Sequence, residues 1–336
     1  MLKLYKILFF NSMTMGTLMA ISAHSWLGMW MGLEINLLSI IPLMSSSKNM
    51  LSSEASLKYF ITQAMASLIL LLSVTLMMIT SEFITPMVNS TFTALLNTAL
   101  LTKLGAAPFH YWFPEVMEGL NWFNCTVLLT WQKIAPMALL MNQIQITLFI
   151  SVIVLSLLIS TLMSLNQTSL RKIMAFSSIN HIAWMISALL ISPSVWLIYL
   201  VIYLIITVSI TLVFSFNKLF IINQLTSIFN MNKTLKFSLM SNFLSLGGLP
   251  PFLGFLPKWL TINWMVLNNF HTIAIILILT TLIMLFIYVR ILTTALILSH
   301  SEPKIMPSKG HPFPTFLINF LTITSLASCT LICNFF

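Results

Sequence analysis

Long apolar stretches follow one another along almost the whole sequence, and they limit its possible folds more than any other feature. A membrane-spanning helix needs about 20 mainly apolar residues, and we count eleven such stretches. Only 6% of the 336 residues are charged, against about 25% in an ordinary soluble domain. Eleven spans fill about 220 positions, so only short connections remain. We therefore predict an all-α polytopic membrane protein with no soluble catalytic domain.

The predicted spans are bounded by charged residues or prolines. They cover residues 3–21, 25–44, 57–79, 87–113, 123–141, 144–163, 173–191, 194–216, 237–268, 272–298 and 315–335. We predict one five-helix unit over residues 1–142, a second over 143–298, and a loop with a final helix over 299–336. The N-terminal stretch has no small-residue cleavage site, so we expect it to be the first span of an uncleaved chain.

Basic residues in the predicted loops support this count of spans. Lys and Arg collect in loops on one side of a membrane. With eleven spans, every basic residue in a loop or in the first turn of a span falls on the same side: Lys3, Lys6, Lys48, Lys58, Arg171, Lys172, Lys218, Lys233, Lys236, Lys304 and Lys309. The net charge of +9 is therefore interpreted as an orientation signal rather than as a sign of nucleic-acid binding. The N-terminus is predicted on the positive side and the C-terminus on the opposite side.

A short Gly/Pro motif occurs twice, once in each predicted five-helix unit. Residues 104–109 read LGAAPF, and residues 246–252 read LGGLPPF with one insertion. Each copy lies in the fourth helix of its unit, and an odd number of helices inverts the second unit relative to the first. Paired Gly/Pro interruptions in inverted halves are typical of transporters with an ion site near the bilayer midplane. We predict discontinuous helices at both motifs; ordinary proline kinks are the alternative.

Four charged residues lie inside predicted spans at positions that suggest proton transfer. Glu34 is near the centre of span 2, where a carboxylate costs about 2.5 to 3.5 kcal/mol. Lys103 precedes the first motif, Lys133 is in the middle of span 5, and Lys258 follows the second motif. A lysine removed from water can give up its proton, whereas arginine keeps its own. We expect Glu34 to lie within direct or water-bridged reach of Lys103. The alternatives are a structural polar contact for the glutamate and snorkelling for the lysines.

His181 is in the middle of span 7 and titrates near neutral pH, so it is a candidate link between the lysines of the two units. The alternative is a histidine that only hydrogen-bonds between helices.

The cysteines are Cys125, Cys329 and Cys333, and no pair has the C-x-x-C spacing of iron–sulfur or zinc sites. The sequence contains no G-x-G-x-x-G, P-loop or H-E-x-x-H motif. We therefore predict no cofactor and no metal in this chain.

Four stretches of the sequence resemble a known family. They are KLGAAPFHYWFPEV, LTWQKIAPM, RKIMAFSSINHIAWM and LGGLPPFLGFLPKW. They are similar to signature segments of the antiporter-like membrane-arm subunits of mitochondrial NADH-ubiquinone oxidoreductase, respiratory complex I. The absence of aspartate and the 23 methionines resemble a mitochondrially encoded arthropod version. Eleven helices match the animal form, which lacks the first three of the fourteen helices found in bacterial relatives.

The resemblance implies roles for particular residues and for the surroundings of the chain. The family's functional glutamate, lysines and central histidine match Glu34, Lys103, Lys133, His181 and Lys258. NADH, FMN, iron–sulfur clusters and ubiquinone are implied in partner subunits of the complex. The implied partners are other membrane-arm subunits, including neighbouring antiporter-like chains, and phospholipids, cardiolipin among them, with no nucleic acid. The implied location is the mitochondrial inner membrane, with the N-terminus in the matrix and the C-terminus in the intermembrane space.

Three functional hypotheses remain open from the sequence. The first is a proton-translocating subunit of NADH:ubiquinone oxidoreductase that carries no redox centre and is driven by quinone chemistry in neighbouring chains. The second is a free-standing cation/proton antiporter, which would be active alone in liposomes. The third is a structural scaffold of the membrane arm, in which the charged residues only join helices.

Overall fold

The computed structural model describes residues 4–46, 49–80, 86–225, 233–250 and 252–297. These residues form thirteen α-helices, and within them the only β-type pairing is an isolated bridge between Ser169 and Ile221. The helices are α1 (Leu4–Ser22), α2 (Trp26–Met44), α3 (Met50–Thr80), α4 (Pro86–Leu104), α5 (Trp112–Gly119), α6 (Trp122–Leu129), α7 (Trp131–Leu140), α8 (Ile146–Ser164), α9 (Leu170–Ile191), α10 (Pro193–Asn217), α11 (Lys233–Gly247), α12 (Phe255–Leu267) and α13 (His271–Ile297).

Seven of the described helices are long and apolar enough to cross a membrane. They are α1, α2, α3, α8, α9, α10 and α13, and each coincides with one predicted span. The all-helical membrane class is therefore confirmed, whereas the total of eleven spans stays a prediction. The last predicted span, 315–335, lies outside the described residues.

Three predicted spans are each divided between two helices. Span 9 is divided into α11 and α12. In span 4, α4 ends at Leu104 and the next helix, α5, begins only at Trp112, within the last two residues of the span. Both interruptions lie where the Gly/Pro motifs predict a break. Span 5 is divided into α6 and α7 at Thr130, whose φ of −111° and ψ of −75° leave the regular helical range. This third break was not predicted from the sequence, because threonine alone is a weak signal for a break.

The chain separates into two compact units, residues 1–156 and 157–336. The predicted division into 1–142, 143–298 and 299–336 stays a prediction, and most of its last part lies outside the described residues. In the first unit, α2 packs against α1 and α3, α4 packs against α3 and α7, and α5 packs against α3. In the second unit, α9 packs against α10 and α12, and α13 packs against α11 and α12.

Two glycines set the close crossing of α1 and α2. A Cβ atom added to Gly16 would lie 2.8 Å from the backbone nitrogen of Asn36, and one added to Gly32 would lie 2.8 Å from Cα of Ala20. Small residues let helix backbones approach each other in this way. The crossing fixes the position of α2, the helix that carries Glu34 and Asn36.

Candidate functional site

The first helix break has a glycine C-cap. The φ of Gly105 is +75°, a conformation that is easily adopted by glycine alone. The Ala106 amide donates to the Leu101 carbonyl over 3.1 Å, and the Gly105 amide donates to Thr102 over 3.2 Å. This arrangement is typical of a Schellman-type end of a helix, so α4 stops one residue after Lys103, at Leu104.

Side chains bind the carbonyl groups that the first break releases. Trp112 Nε1 donates to the Thr102 carbonyl over 3.1 Å, and Gln63 Nε2 donates to the Lys103 carbonyl over 3.4 Å. Both donors are neutral. The break therefore satisfies part of its freed backbone with protein groups, as irregular backbone at membrane depth requires.

The second break ends its helix in the same way. The φ of Gly248 is +78°, and the Leu249 amide donates to the Leu244 carbonyl over 3.3 Å. The structural counterpart of Gly105 is therefore Gly248. The motif match, which includes one inserted residue, did not specify which of the two adjacent glycines corresponds to Gly105, because letter matching cannot show which glycine has positive φ.

Lys258 caps the second break with a charged group. Its Nζ donates to the carbonyls of Leu246 over 3.1 Å and Gly247 over 2.9 Å. A cation is favourable at a helix C-terminus, where the released carbonyls carry partial negative charge. Lys258 is only 8% exposed, and its Nζ lies 5.7 Å from the ring centroid of Trp184. The snorkelling alternative does not fit this lysine, because its charge is bound inside the unit.

Lys103 and Glu34 are close enough to interact electrostatically but are not in contact. Lys103 is 7% exposed, Glu34 is half-buried, and the glutamate charge acts attractively on the lysine. Within the described residues, the ion pairs closer than 4.0 Å are those of Lys58 with Glu54 and Glu115, each at 2.9 Å. The direct form of the predicted Glu34–Lys103 contact is therefore absent. The water-bridged form stays a prediction.

Lys133 is buried in the first turn of α7. It is 3% exposed, and its Nζ lies 6.0 Å from the ring centroid of Phe113. Because α7 packs against α4, the helices that carry Lys103 and Lys133 are neighbours in one unit. Two of the predicted lysines therefore lie on adjacent helices of one unit.

A small polar cavity adjoins Lys103. Its volume is about 10 Å³, and its lining includes Asn36, Gln63, Lys103, Gln132 and Pro136. Asn36 and Gln132 also form a reciprocal pair of hydrogen bonds, Nδ2 to Oε1 over 3.0 Å and Nε2 to Oδ1 over 2.8 Å. These amides were not predicted as site residues from the sequence. The signal that could have indicated them is their position in the same spans as Glu34 and Lys133.

His181 forms a hydrogen bond inside the second unit. Its Nδ1 lies 2.8 Å from the Tyr199 hydroxyl, and its ring centroid lies 5.0 Å from that of Tyr203. The Tyr199 ring is stacked on Trp184 at 6.4 Å, and Trp184 also faces Lys258. Two predicted site residues, His181 and Lys258, are thus connected through aromatic side chains. The tyrosines were not predicted from the sequence.

The predicted site residues therefore fall into two groups. Glu34, Lys103 and Lys133 belong to the first unit, and His181 and Lys258 belong to the second. Among the residues that the structure describes, no group of three His, Cys, Asp or Glu side chains is arranged to hold a metal ion. Both groups contain ionisable nitrogen atoms, and the first also contains a carboxylate; side chains of these types can bind and release protons.

The chain is similar to known membrane proteins over nearly its full length. It matches the family described as "NADH:quinone oxidoreductase/Mrp antiporter, TM" over residues 23–284. It is 45% identical to NADH-ubiquinone oxidoreductase chain 2 of Anopheles gambiae and 48% identical to that of Aedes aegypti. Each alignment covers 99% of both chains.

Solved structures show the same fold at lower identity. A chain of respiratory complex I from Thermus thermophilus aligns with a TM-score of 0.88 and 22% identity, covering 98% of this chain and 78% of that one. A chain of the Mrp complex from Dietzia sp. aligns with a TM-score of 0.76 and 17% identity, covering 96% and 74%. The chain belongs to the NADH-ubiquinone oxidoreductase chain 2 family, whose members are membrane subunits of the proton-translocating oxidoreductase.

Proposed function

We propose that this chain moves protons across the mitochondrial inner membrane through Glu34, Lys103, Lys133, His181 and Lys258, within NADH:ubiquinone oxidoreductase. The observation that carries the proposal is the burial of three lysines, which are 7%, 3% and 8% exposed. Intramembrane ionisable residues are costly, and they mark ion and proton pathways. Amines can bind and release protons, and the apolar surroundings would strengthen the influence of each charge on the next.

The two lysines of the first unit are suited to passing charge from one to the other. Glu34 attracts positive charge on Lys103, and the helix of Lys133 packs against that of Lys103. The charge of a proton that arrives near Lys103 would compete with the attraction between Lys103 and Glu34. It would also raise the free-energy cost of a second positive charge on Lys133. The proton occupancies of the two lysines would therefore be coupled.

The second unit would use the same chemistry with an inverted repeat of the first. The matching glycine C-caps at Gly105 and Gly248 support this repeat. His181 would exchange protons through its imidazole ring, whose orientation is set by the contact of Nδ1 with the Tyr199 hydroxyl at 2.8 Å. We infer a matrix-side N-terminus from the basic loops, and we infer that redox cofactors, other membrane-arm subunits and phospholipids surround the chain in the complex.

The test uses the assembled complex with Lys103→Met or Lys133→Met. Methionine keeps much of the side-chain length and removes the charge. We expect quinone reduction to fall in both variants while NADH oxidation by an artificial acceptor is retained, because no redox group is proposed here. Lys218→Met is the matched control, since Lys218 is exposed and should leave both activities unchanged.

Two results would contradict the proposal. Equal loss of both activities in fully assembled Lys103→Met complex would favour the scaffold hypothesis. Proton–cation exchange by the purified chain alone in liposomes, abolished by the same substitutions, would favour the free-standing antiporter.

A further inference from the structure

The cavity beside Lys103 has the size and lining of a site for one water molecule. A water needs a cavity of about 10–15 Å³ and two to four polar partners. This cavity measures about 10 Å³, and four helices supply its polar lining: Asn36 on α2, Tyr59 and Gln63 on α3, Lys103 on α4 and Gln132 on α7. Leu33, Leu37 and Pro136 complete the lining. Asn36 and Gln63 are 3% and 4% exposed, so these amides cannot satisfy their hydrogen bonds with bulk solvent in place of a bound water.

The two amides retain hydrogen-bonding capacity after they pair with each other. A primary amide has two N–H groups and an oxygen with two lone pairs. The reciprocal pair uses one N–H and one lone pair of each amide, so each keeps one donor and one acceptor site. Rotating both amides together by 180° preserves the pair with donor and acceptor exchanged. The pair can therefore serve a water that donates or accepts.

Further polar groups beside the cavity would satisfy the same water. The Lys103 ammonium has three N–H donors, and no side chain of the described residues forms a hydrogen bond with its Nζ. Pro136, which also lines the cavity, has no amide hydrogen to give to the Gln132 carbonyl four residues earlier. The Lys103 ammonium therefore has N–H groups that can donate to a water in the cavity. The amides beside it do not titrate, so they can hydrogen-bond the water without taking up its proton.

We propose that this cavity binds a single water through which Lys103 exchanges its proton, and that Asn36 and Gln132 are positioning residues for that water. In the exchange, an N–H bond of the ammonium breaks and an O–H bond forms on the water. One of the original protons of the water then leaves for the unprotonated amine of Lys133, the next group of the proposed relay, so an N–H bond forms there and the water is regenerated. The inference rests on the proposed function, because it assigns the route by which a relay lysine gains and loses protons.

A high-resolution structure of the assembled complex tests the water directly. We expect one ordered water about 2.7–3.2 Å from Lys103 Nζ and at a similar distance from an amide atom of Asn36 or Gln132. A map in which this cavity holds no water overturns the inference, and this result does not depend on whether any variant folds.

Substitutions test the role of the amides. Gln132→Met and Asn36→Leu remove the polar groups and leave every proposed relay residue in place. We expect each to slow proton pumping about fivefold, the effect of losing one hydrogen-bonded contact, and to change the solvent deuterium isotope effect on pumping. The double variant should lose no more than the more severe single variant, because the amides act as one unit.

The swapped double variant Asn36→Gln with Gln132→Asn restores the reciprocal pair and should recover part of the rate. Normal pumping by assembled Gln132→Met, or losses that simply add in the double variant, would overturn the inference. If the Lys103→Met complex pumps protons poorly while the Gln132→Met complex pumps normally, the water site is refuted and the proposed function is not. A normal Lys103→Met would refute the proposed function itself.

Discussion

A single methyl group at Gly248 should displace Lys258, whereas the same change at the preceding glycine should not. The φ of Gly248 is +78°, and a Cβ atom there would lie 2.7 Å from Cδ and 3.0 Å from Nζ of Lys258. The left-handed conformation costs a non-glycine residue about 1–2 kcal/mol. Losing hydrogen bonds from a charged group adds about 1.5–3 kcal/mol. Gly248→Ala should therefore destabilise the second break by about 2.5–5 kcal/mol when Lys258 loses its carbonyl contacts.

Gly247→Ala is the matched control. A Cβ atom at Gly247 would meet Leu285 Cδ1 at 3.5 Å, which is ordinary van der Waals distance. Gly247 is the last residue of α11, where alanine is at least as favourable as glycine. This variant should keep the stability and pumping rate of the unmodified complex.

The assay compares thermal inactivation of proton pumping in complexes that contain either variant, normalised to the amount assembled. We expect faster inactivation and a lower initial pumping rate for Gly248→Ala only. Indistinguishable behaviour of the two alanine variants would refute the reasoning that Gly248 makes room for the Lys258 cap.

Other variants test separate parts of the site. Glu34→Gln removes the attraction on Lys103 and should slow turnover in assembled complex; a normal pumping rate would remove Glu34 from the relay. Tyr199→Phe removes the hydrogen bond to His181 and should shift the pH profile of pumping, whereas Tyr203→Phe should shift it less. Gly32→Ala should lower the amount of assembled complex, measured on native gels, because the added methyl group collides with α1.

The sequence was sufficient to predict the buried cations and the two helix breaks. Lysines are rare in apolar spans, so Lys103, Lys133 and Lys258 stood out without any knowledge of packing. Glycine next to proline marks backbone that cannot continue a helix, and both motifs coincide with helix ends. Burial of the lysines follows directly from their position within spans.

The contacts of these residues depend on tertiary packing that the sequence does not reveal. Asn36 and Gln132 are 96 positions apart, and no local pattern connects them. The Lys258 cap depends on which of two adjacent glycines adopts positive φ. The division of span 5 at Thr130 had no local Gly/Pro signal. The predicted direct contact of Glu34 with Lys103 is absent, because the distance between side chains on two different helices is set by packing rather than by sequence.

The ratio of protons pumped to electrons transferred tests the central claim most directly. It would be measured on reconstituted complex in liposomes with NADH and ubiquinone, for Lys103→Met, Lys133→Met and the control Lys218→Met. If protons pass through the buried lysines, the ratio or the coupled rate falls in the first two variants and stays normal in the control. A normal ratio at a normal rate in either buried-lysine variant would contradict the account.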